Sequence, residues 1–253
     1  MGFGTISCIA QRAHCVSVVG IVIALRAEAN CLTSTRLPYN EIACLGNDTL
    51  VWLCGMGDHA ARTAAKGLQA NGATALISFG VAGALDSSLR SGDLVLPGAI
   101  HTSEKVYPVA LDWRDRLQLL LPSHLSIANG ILATSLVTLT SEAAKRELAT
   151  ATGACAVDME SGAIAETAAN ADIPFLAIRA IIDSIEFSPP PALNHAVYPD
   201  GSVNLFDLLK LLWRRSVNLH TLFQLAIGMR AACHTLSTVA RYTHMQLGRT
   251  ADK

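Results

Sequence analysis

The chain has 253 residues, of which 51% are hydrophobic and 15% charged, and its formal net charge is −1. That length can bury a sizeable core and that composition excludes a disordered chain, while the balanced charge gives no global electrostatic case for nucleic acid as a partner. The cysteines (Cys8, Cys15, Cys31, Cys44, Cys54, Cys155 and Cys233) are odd in number, scattered and without a CxxC pair. They read as small buried hydrophobes in a reducing, cytoplasmic compartment, with no metal site and no disulfide framework.

Residues 1–15 show no period, and Gln11, Arg12 and His14 interrupt them before a signal-peptide core forms, so a poorly ordered leader is expected ahead of a domain spanning 16–253. No apolar run reaches the roughly 18 residues of a membrane span. Cys15 to Leu25 is a β-rich run that exits into Arg26-Ala27-Glu28, a charged cluster at a strand's carboxyl end. Ile42 to Gly46 and Thr49 to Cys54, separated by Asn47-Asp48, predict a hairpin. Gly55-Met56-Gly57 then leads into a helix over Asp58 to Asn71, and this short GxG lacks the full GxGxxG of a dinucleotide site. Ala73 to Phe79 predicts a strand that leaves into a loop at Gly80 to Leu85, where Gly80 and Gly83 would let backbone approach a ligand.

Further along, Leu94 to Ile100 and Gly130 to Leu139 read as strands, and Trp113 to Leu121 and Ser141 to Ala149 as helices. Asp158 to Ala171 is Ala-rich and predicts a helix with Asp158 as its N-cap and Glu160 in its first turn. Pro174 closes that helix, and Phe175 to Ile182 is a continuous apolar run suited to a central strand. The period of two puts Arg179, Ile181 and Asp183 on one face, with Arg179 and Asp183 roughly 13 Å apart, so each needs another partner. Asp183 falls at the strand's end, where a partly desolvated carboxyl can act as a proton donor. A turn cap at Asp183 and a structural ion pair between Glu160 and Arg179 account for the same spacing.

After Asp183 a Pro-rich loop spans Glu186 to Gly201, and Val203 to Leu247 becomes helical, with a leucine stripe and the basic residues Lys210, Arg214 and Arg215. Such a helix either packs on its own domain or lies peripherally on an anionic membrane. Alternating strands and helices without repeats or a low-complexity linker make one α/β domain the economical reading.

AVDMES followed by RAIID, supported by VAGAL with SGD and by GIVIALRAE, resembles the nucleoside phosphorylase and nucleosidase superfamily, in particular its methylthioadenosine/S-adenosylhomocysteine nucleosidase branch. The similarity covers about Val16 to Ser184. With its helical tail, the whole chain looks most like the hopanoid-associated phosphorylases, a group linked to adenine removal from adenosylhopane. The resemblance implies a single three-layer α/β domain with a central mixed, partly closed sheet flanked by helices, plus C-terminal helices. It implies an enzyme that cleaves the N-glycosidic bond of a 5′-substituted, lipid-linked adenosine by phosphorolysis, without a metal or cofactor and with phosphate as co-substrate. A homo-oligomer is also implied, since relatives complete the pocket across an interface.

Carried over by residue, the resemblance makes Asp183 the acid on adenine, sets Met159 against the ribose and gives Glu160 its hydroxyls. Gly80 and Gly83 would line the sugar and nucleophile side, Glu28 would position an attacking water with Arg179 beside it, and Arg26 in the same exit loop would instead hold phosphate. The chain departs from the pattern at Ile182, where the family usually has Ser, at Val81, also usually Ser, and at Ser78, where many phosphorylases place Arg. Two alternatives accompany this reading: a hydrolytic methylthioadenosine/S-adenosylhomocysteine nucleosidase, and an inactive nucleoside-binding module.

Overall fold

A computed structural model of the chain describes residues 17–187 and 219–243. The expected leader over 1–15, most of the Pro-rich loop and the basic residues Lys210, Arg214 and Arg215 lie outside the described residues.

Among the described residues the architecture is a mixed central sheet of eleven strands flanked by helices, with a helix at Leu219–Thr243. Its spine is β4 (Ala75–Ala84), which pairs in parallel with β1 (Val19–Ile23) along its first half and with β11 (Phe175–Asp183) along most of its length. At its far end β4 also pairs antiparallel with β10 (Ala154–Asp158), Ala156 opposite Ala84 and Val157 opposite Gly83. The sheet therefore branches along β4. Gly80 to Ala84, expected as an exit loop, is strand because β11 and β10 hydrogen-bond to it there.

On one side of β1 stand β3 (Thr49–Leu53) and β2 (Ile42–Leu45), the expected hairpin, antiparallel with Ile42 opposite Trp52. The expected strand Leu94 to Ile100 is two, β5 (Leu94–Val95) and β6 (Ala99–His101), because Pro97-Gly98 interrupts it. β5 pairs with β11 and with β8 (Ile127–Ala128), whereas β6 pairs with β7 (Val106–Pro108) and β9 (Ile131–Thr134). β9 in turn pairs with β10.

The helices are α1 (Arg26–Leu32), α2 (Asp58–Ala70), α3 (Leu111–Leu120), α4 (Glu142–Thr152), α5 (Ser161–Asn170) and α6 (Leu219–Thr243). Ser141 caps α4 by accepting the N–H of Ala144, and Gly153 ends it in the left-handed conformation at φ 66°. One core layer packs α2 and α5 through Ala61, Ala64, Leu68, Ile164 and Ala168 against the sheet, and the other packs Ile21, Ile77, Phe79 and Ile178 against Leu236 and Val239 of α6. In α6 the stripe Leu219, Phe223 and Ile227 is exposed, while Ala232, Leu236, Val239 and Ala240 are buried.

Candidate active site

A cavity of about 240 Å³ opens beyond the carboxyl ends of β1, β4, β9, β10 and β11, where an α/β sheet places its ligands. Ala24, Leu25 and Glu28 border it from the first strand's exit, Met56 from the exit of β3, and Val81 to Gly83 from β4. Ser135 and Val137 to Leu139 come from the turn after β9, Val157 to Glu160 from the end of β10, and Ile182 and Asp183 from the end of β11. Lys145 reaches in from α4.

Glu28 sits in the first turn of α1 and is 1% exposed. Its Oε2 accepts the N–H groups of Leu25 at 2.8 Å and Ala24 at 3.2 Å, and its Oε1 that of Val81 at 2.8 Å. Burial pushes its carboxyl up, against the Arg179 charge and these three backbone donors. The carboxyl is thus anchored on both oxygens at the mouth of two strands.

Glu160 follows β10 and accepts the N–H of Gly57 at 2.8 Å. It is pushed up to about 7, by burial first and by the Asp158 charge next, with Arg179 opposing. Gly57, at φ 97°, takes a backbone conformation that side chains avoid, and this turn delivers its N–H to the carboxylate. Met159 borders the same cavity, its Sδ accepting from the Thr138 hydroxyl at 3.7 Å.

Asp158 was expected to cap a helix, yet it ends β10, and α5 begins only at Ser161. Its carboxylate still accepts the Ser161 N–H, at 3.2 Å, and also pairs with the Arg179 guanidinium at 2.8 Å. Arg179 is 1% exposed and donates from Nη2 to Ser78 Oγ at 2.5 Å and Ser161 Oγ at 3.2 Å. The structural pair that Arg179 makes is therefore with Asp158 rather than Glu160, and Arg179 does not border the cavity. Gly80 is likewise behind the wall. Its role is steric, because a Cβ there would lie 2.2 Å from Arg179 Nη1 and 2.5 Å from Glu28 Oε1.

Asp183 is 8% exposed, and burial pushes its carboxyl up while Lys145 pulls it down. The register shifts between Ile181 and Asp183, so the period of two that holds along β11 does not carry from Arg179 to Asp183. Gly83 lies against it, a Cβ there falling 3.3 Å from Asp183 Oδ1. Lys145 donates to Asp183 Oδ2, and to the carbonyls of Ser184 and Phe187 at 2.8 Å each. Of the residues expected from the sequence, Glu28, Gly83, Met159, Glu160 and Asp183 meet in the cavity. Arg26 does not border it and donates from Nη1 to the Leu37 carbonyl at 3.1 Å. Lys145 and the turn Ser135 to Leu139 were missed, since neither carries a local motif and their contacts are long-range.

A family model described as the phosphorylase superfamily matches residues 40–212. The chain belongs to the phosphorylase superfamily. A search of curated proteins finds none that matches it. Among solved structures, this superfamily member is similar to the 5′-methylthioadenosine/S-adenosylhomocysteine nucleosidase of Neisseria meningitidis in complex with methylthio-immucillin-A, with 16% identity, TM-score 0.70, and coverage of 92% of this chain and 100% of that one. The nucleosidase of Colwellia psychrerythraea 34H, in complex with adenine, gives 18% identity, TM-score 0.69, and coverage of 94% and 98%. Futalosine hydrolase of Helicobacter pylori strain 26695 gives 15%, 0.68, 92% and 99%. At these identities the likeness is one of fold, and it agrees with the mixed sheet and flanking helices described above.

Proposed function

We propose that this phosphorylase-superfamily protein cleaves the N-glycosidic bond of a 5′-substituted adenosine and releases adenine. The observation that carries the reading is the meeting of Glu28, Met159, Glu160 and Asp183 in one cavity at the strand ends. Bond breaking leaves positive charge on the sugar and negative charge on the base, so the reaction gains from an acid at the base and anionic groups around the sugar. Asp183, its carboxyl raised by burial, gives its proton to a ring nitrogen of the departing adenine. Glu160 accepts hydrogen bonds from the ribose hydroxyls, Met159 packs on the ribose, and Gly83 leaves room for the ring. A binding module alone needs no buried acid.

Water is the nucleophile that this site favours, in place of the phosphate implied by the family resemblance. Among the described residues the cavity is bordered by the carboxyl groups of Glu28, Asp158, Glu160 and Asp183 and by one cation, Lys145, whose donors are engaged. Arg179 is committed to Asp158 behind the wall. An incoming phosphate dianion would find no cation with donors to spare among the described residues bordering the cavity, whereas a water oxygen can attack the anomeric carbon and pass its proton to Glu28.

The 5′ substituent is an apolar group in this reading, adenosylhopane being the form that the hopanoid resemblance names. A volume of about 240 Å³ is below the roughly 300 to 1,000 Å³ of common ligand pockets, so a bulky group must leave through the mouth. Met56 and Val137 there are 45% and 66% exposed and border the cavity. The test is chromatographic assay of adenine release from adenosine and from 5′-alkylthio adenosines of increasing chain length, in phosphate-free buffer and with phosphate added. Equal turnover with and without phosphate and a preference for longer chains support the reading. Strict phosphate dependence overturns the water step, and a preference for unsubstituted adenosine overturns the apolar mouth.

A further inference from the structure

Lys145 is the one buried side chain of α4, a helix otherwise half-buried or exposed along its length. It is 2% exposed. Burying an ammonium costs several kcal/mol unless its donors are met, so packing alone gives no reason for a lysine at the single buried position of this helix. Its donors are met by Asp183 Oδ2 and by the carbonyls of Ser184 and Phe187, where the chain leaves β11. The same contacts fix the carboxyl's orientation. Oδ2 is held by the ammonium, and Oδ1 lies against the backbone of Gly83, with no hydrogen-bond donor to it among the described residues.

We propose that Lys145 is the positioning residue for the Asp183 acid step, its ammonium clamping Oδ2 so that Oδ1 is the oxygen presented to the leaving base. This inference rests on the glycosidic-cleavage reading above. The other ionisable groups bordering the cavity are Glu28 of α1, Asp158 of β10 and Glu160 ahead of α5. Glu186, beside the exit of β11, is exposed to solvent. Lys145 alone opposes the effect of burial on the Asp183 carboxyl. The acid works only when protonated, so activity fades as pH rises through its pKa. Losing the ammonium lets burial raise that pKa further, and the fading limb moves to higher pH.

The experiment measures kcat and KM for adenine release from 5′-methylthioadenosine across pH 5 to 9 in wild type, Lys145→Met, Lys145→Arg, Asp183→Asn and the Lys145→Met/Asp183→Asn double variant, with melting temperatures alongside. Lys145→Met is expected to lower kcat roughly 10- to 100-fold with little change in KM, as misplacement of a reacting group does, and to shift the fading limb upward. Lys145→Arg keeps the charge and the limb's position and recovers part of kcat. In the Asp183→Asn background Lys145→Met costs nothing further in kcat, because the residue acts through Asp183. A lysine that only pins the chain exit would lower the melting temperature, leave the limb in place and add its loss to that of Asp183→Asn. That outcome overturns the inference while leaving the function standing. If Lys145→Met does not fold, a limb displaced in Lys145→Arg overturns it equally. A wild type that releases no adenine from any 5′-substituted adenosine overturns both.

Discussion

Gly80→Ala is expected to disrupt the packing of Arg179 and Glu28 behind β4. The added Cβ would stand 2.2 Å from Arg179 Nη1 and 2.5 Å from Glu28 Oε1, well inside van der Waals contact. Both atoms end flexible side chains, which would ordinarily swing aside. Here they are pinned: Arg179 by Asp158, Ser78 and Ser161, and Glu28 by the N–H groups of Ala24, Leu25 and Val81. Relieving the clash therefore means loosening a buried ion pair or a fully bonded carboxyl. Overpacking costs about 1 to 3 kcal/mol and breaking a buried pair about 3 to 5 kcal/mol, so a partial disruption comes to about 3 kcal/mol. At roughly 2 to 4 °C per kcal/mol for a domain of this size, the melting temperature should fall by roughly 6 to 12 °C. Gly83→Ala is the internal control. Its Cβ would lie 3.3 Å from Asp183 Oδ1 and 3.6 Å from Val157 Cγ1, so it should cost under about 1 kcal/mol in stability while displacing the carboxyl by a few tenths of an ångström. Scanning calorimetry on both variants decides the matter. Equal melting temperatures for Gly80→Ala and wild type would refute the packing of Arg179 and Glu28 behind β4.

Three further expectations follow from the carboxylates. Glu160 accepts from the ribose hydroxyls more strongly when ionised, and since burial raises it to about 7, affinity for a ribose-bearing ligand should strengthen as pH rises through about 7. Titration calorimetry of Glu160→Gln should show that step lost. A raised carboxyl stabilises the fold at low pH, fully below its ordinary 4.5, and that contribution is lost as pH rises through about 7. The melting temperature of Glu160→Gln, followed by calorimetry from pH 4.5 to 7, should therefore fall less than that of wild type. Glu28→Gln should lower phosphate-independent adenine release by roughly 100-fold or more, because an amide cannot take the proton of the attacking water. Undiminished release in that variant would remove Glu28 from the water step.

Much of the fold was legible because its signals are local. The hairpin turn at Asn47-Asp48 and the apolar run ending in Asp183 both say in one stretch what they become. The strand β10 was hidden because Ala154 to Asp158 is short, alanine-rich and continuous with the helix-like AVDMES, so Asp158 read as a cap. The continuation of β4 through Gly80 and Gly83 was hidden too, since glycine signals a loop until two neighbouring strands supply the hydrogen bonds. At the site, Glu28, Met159, Glu160 and Asp183 stand in stretches with a recognisable pattern. Lys145 does not: it lies 38 residues from Asp183 in an ordinary polar helix, and only tertiary packing buries it. Arg179 was rightly expected to need a partner, but which carboxylate it takes depends on where β10 ends.

In the proposed reaction Asp183 protonates adenine as the glycosidic bond breaks. Single-turnover adenine release from 5′-methylthioadenosine, with wild type and Asp183→Asn each in excess over substrate, tests it most directly. Wild type should release one equivalent of adenine, and Asp183→Asn should do so at least about 100-fold more slowly while binding the nucleoside with similar affinity. Equal rates from the two folded proteins, or no adenine from wild type, would contradict it.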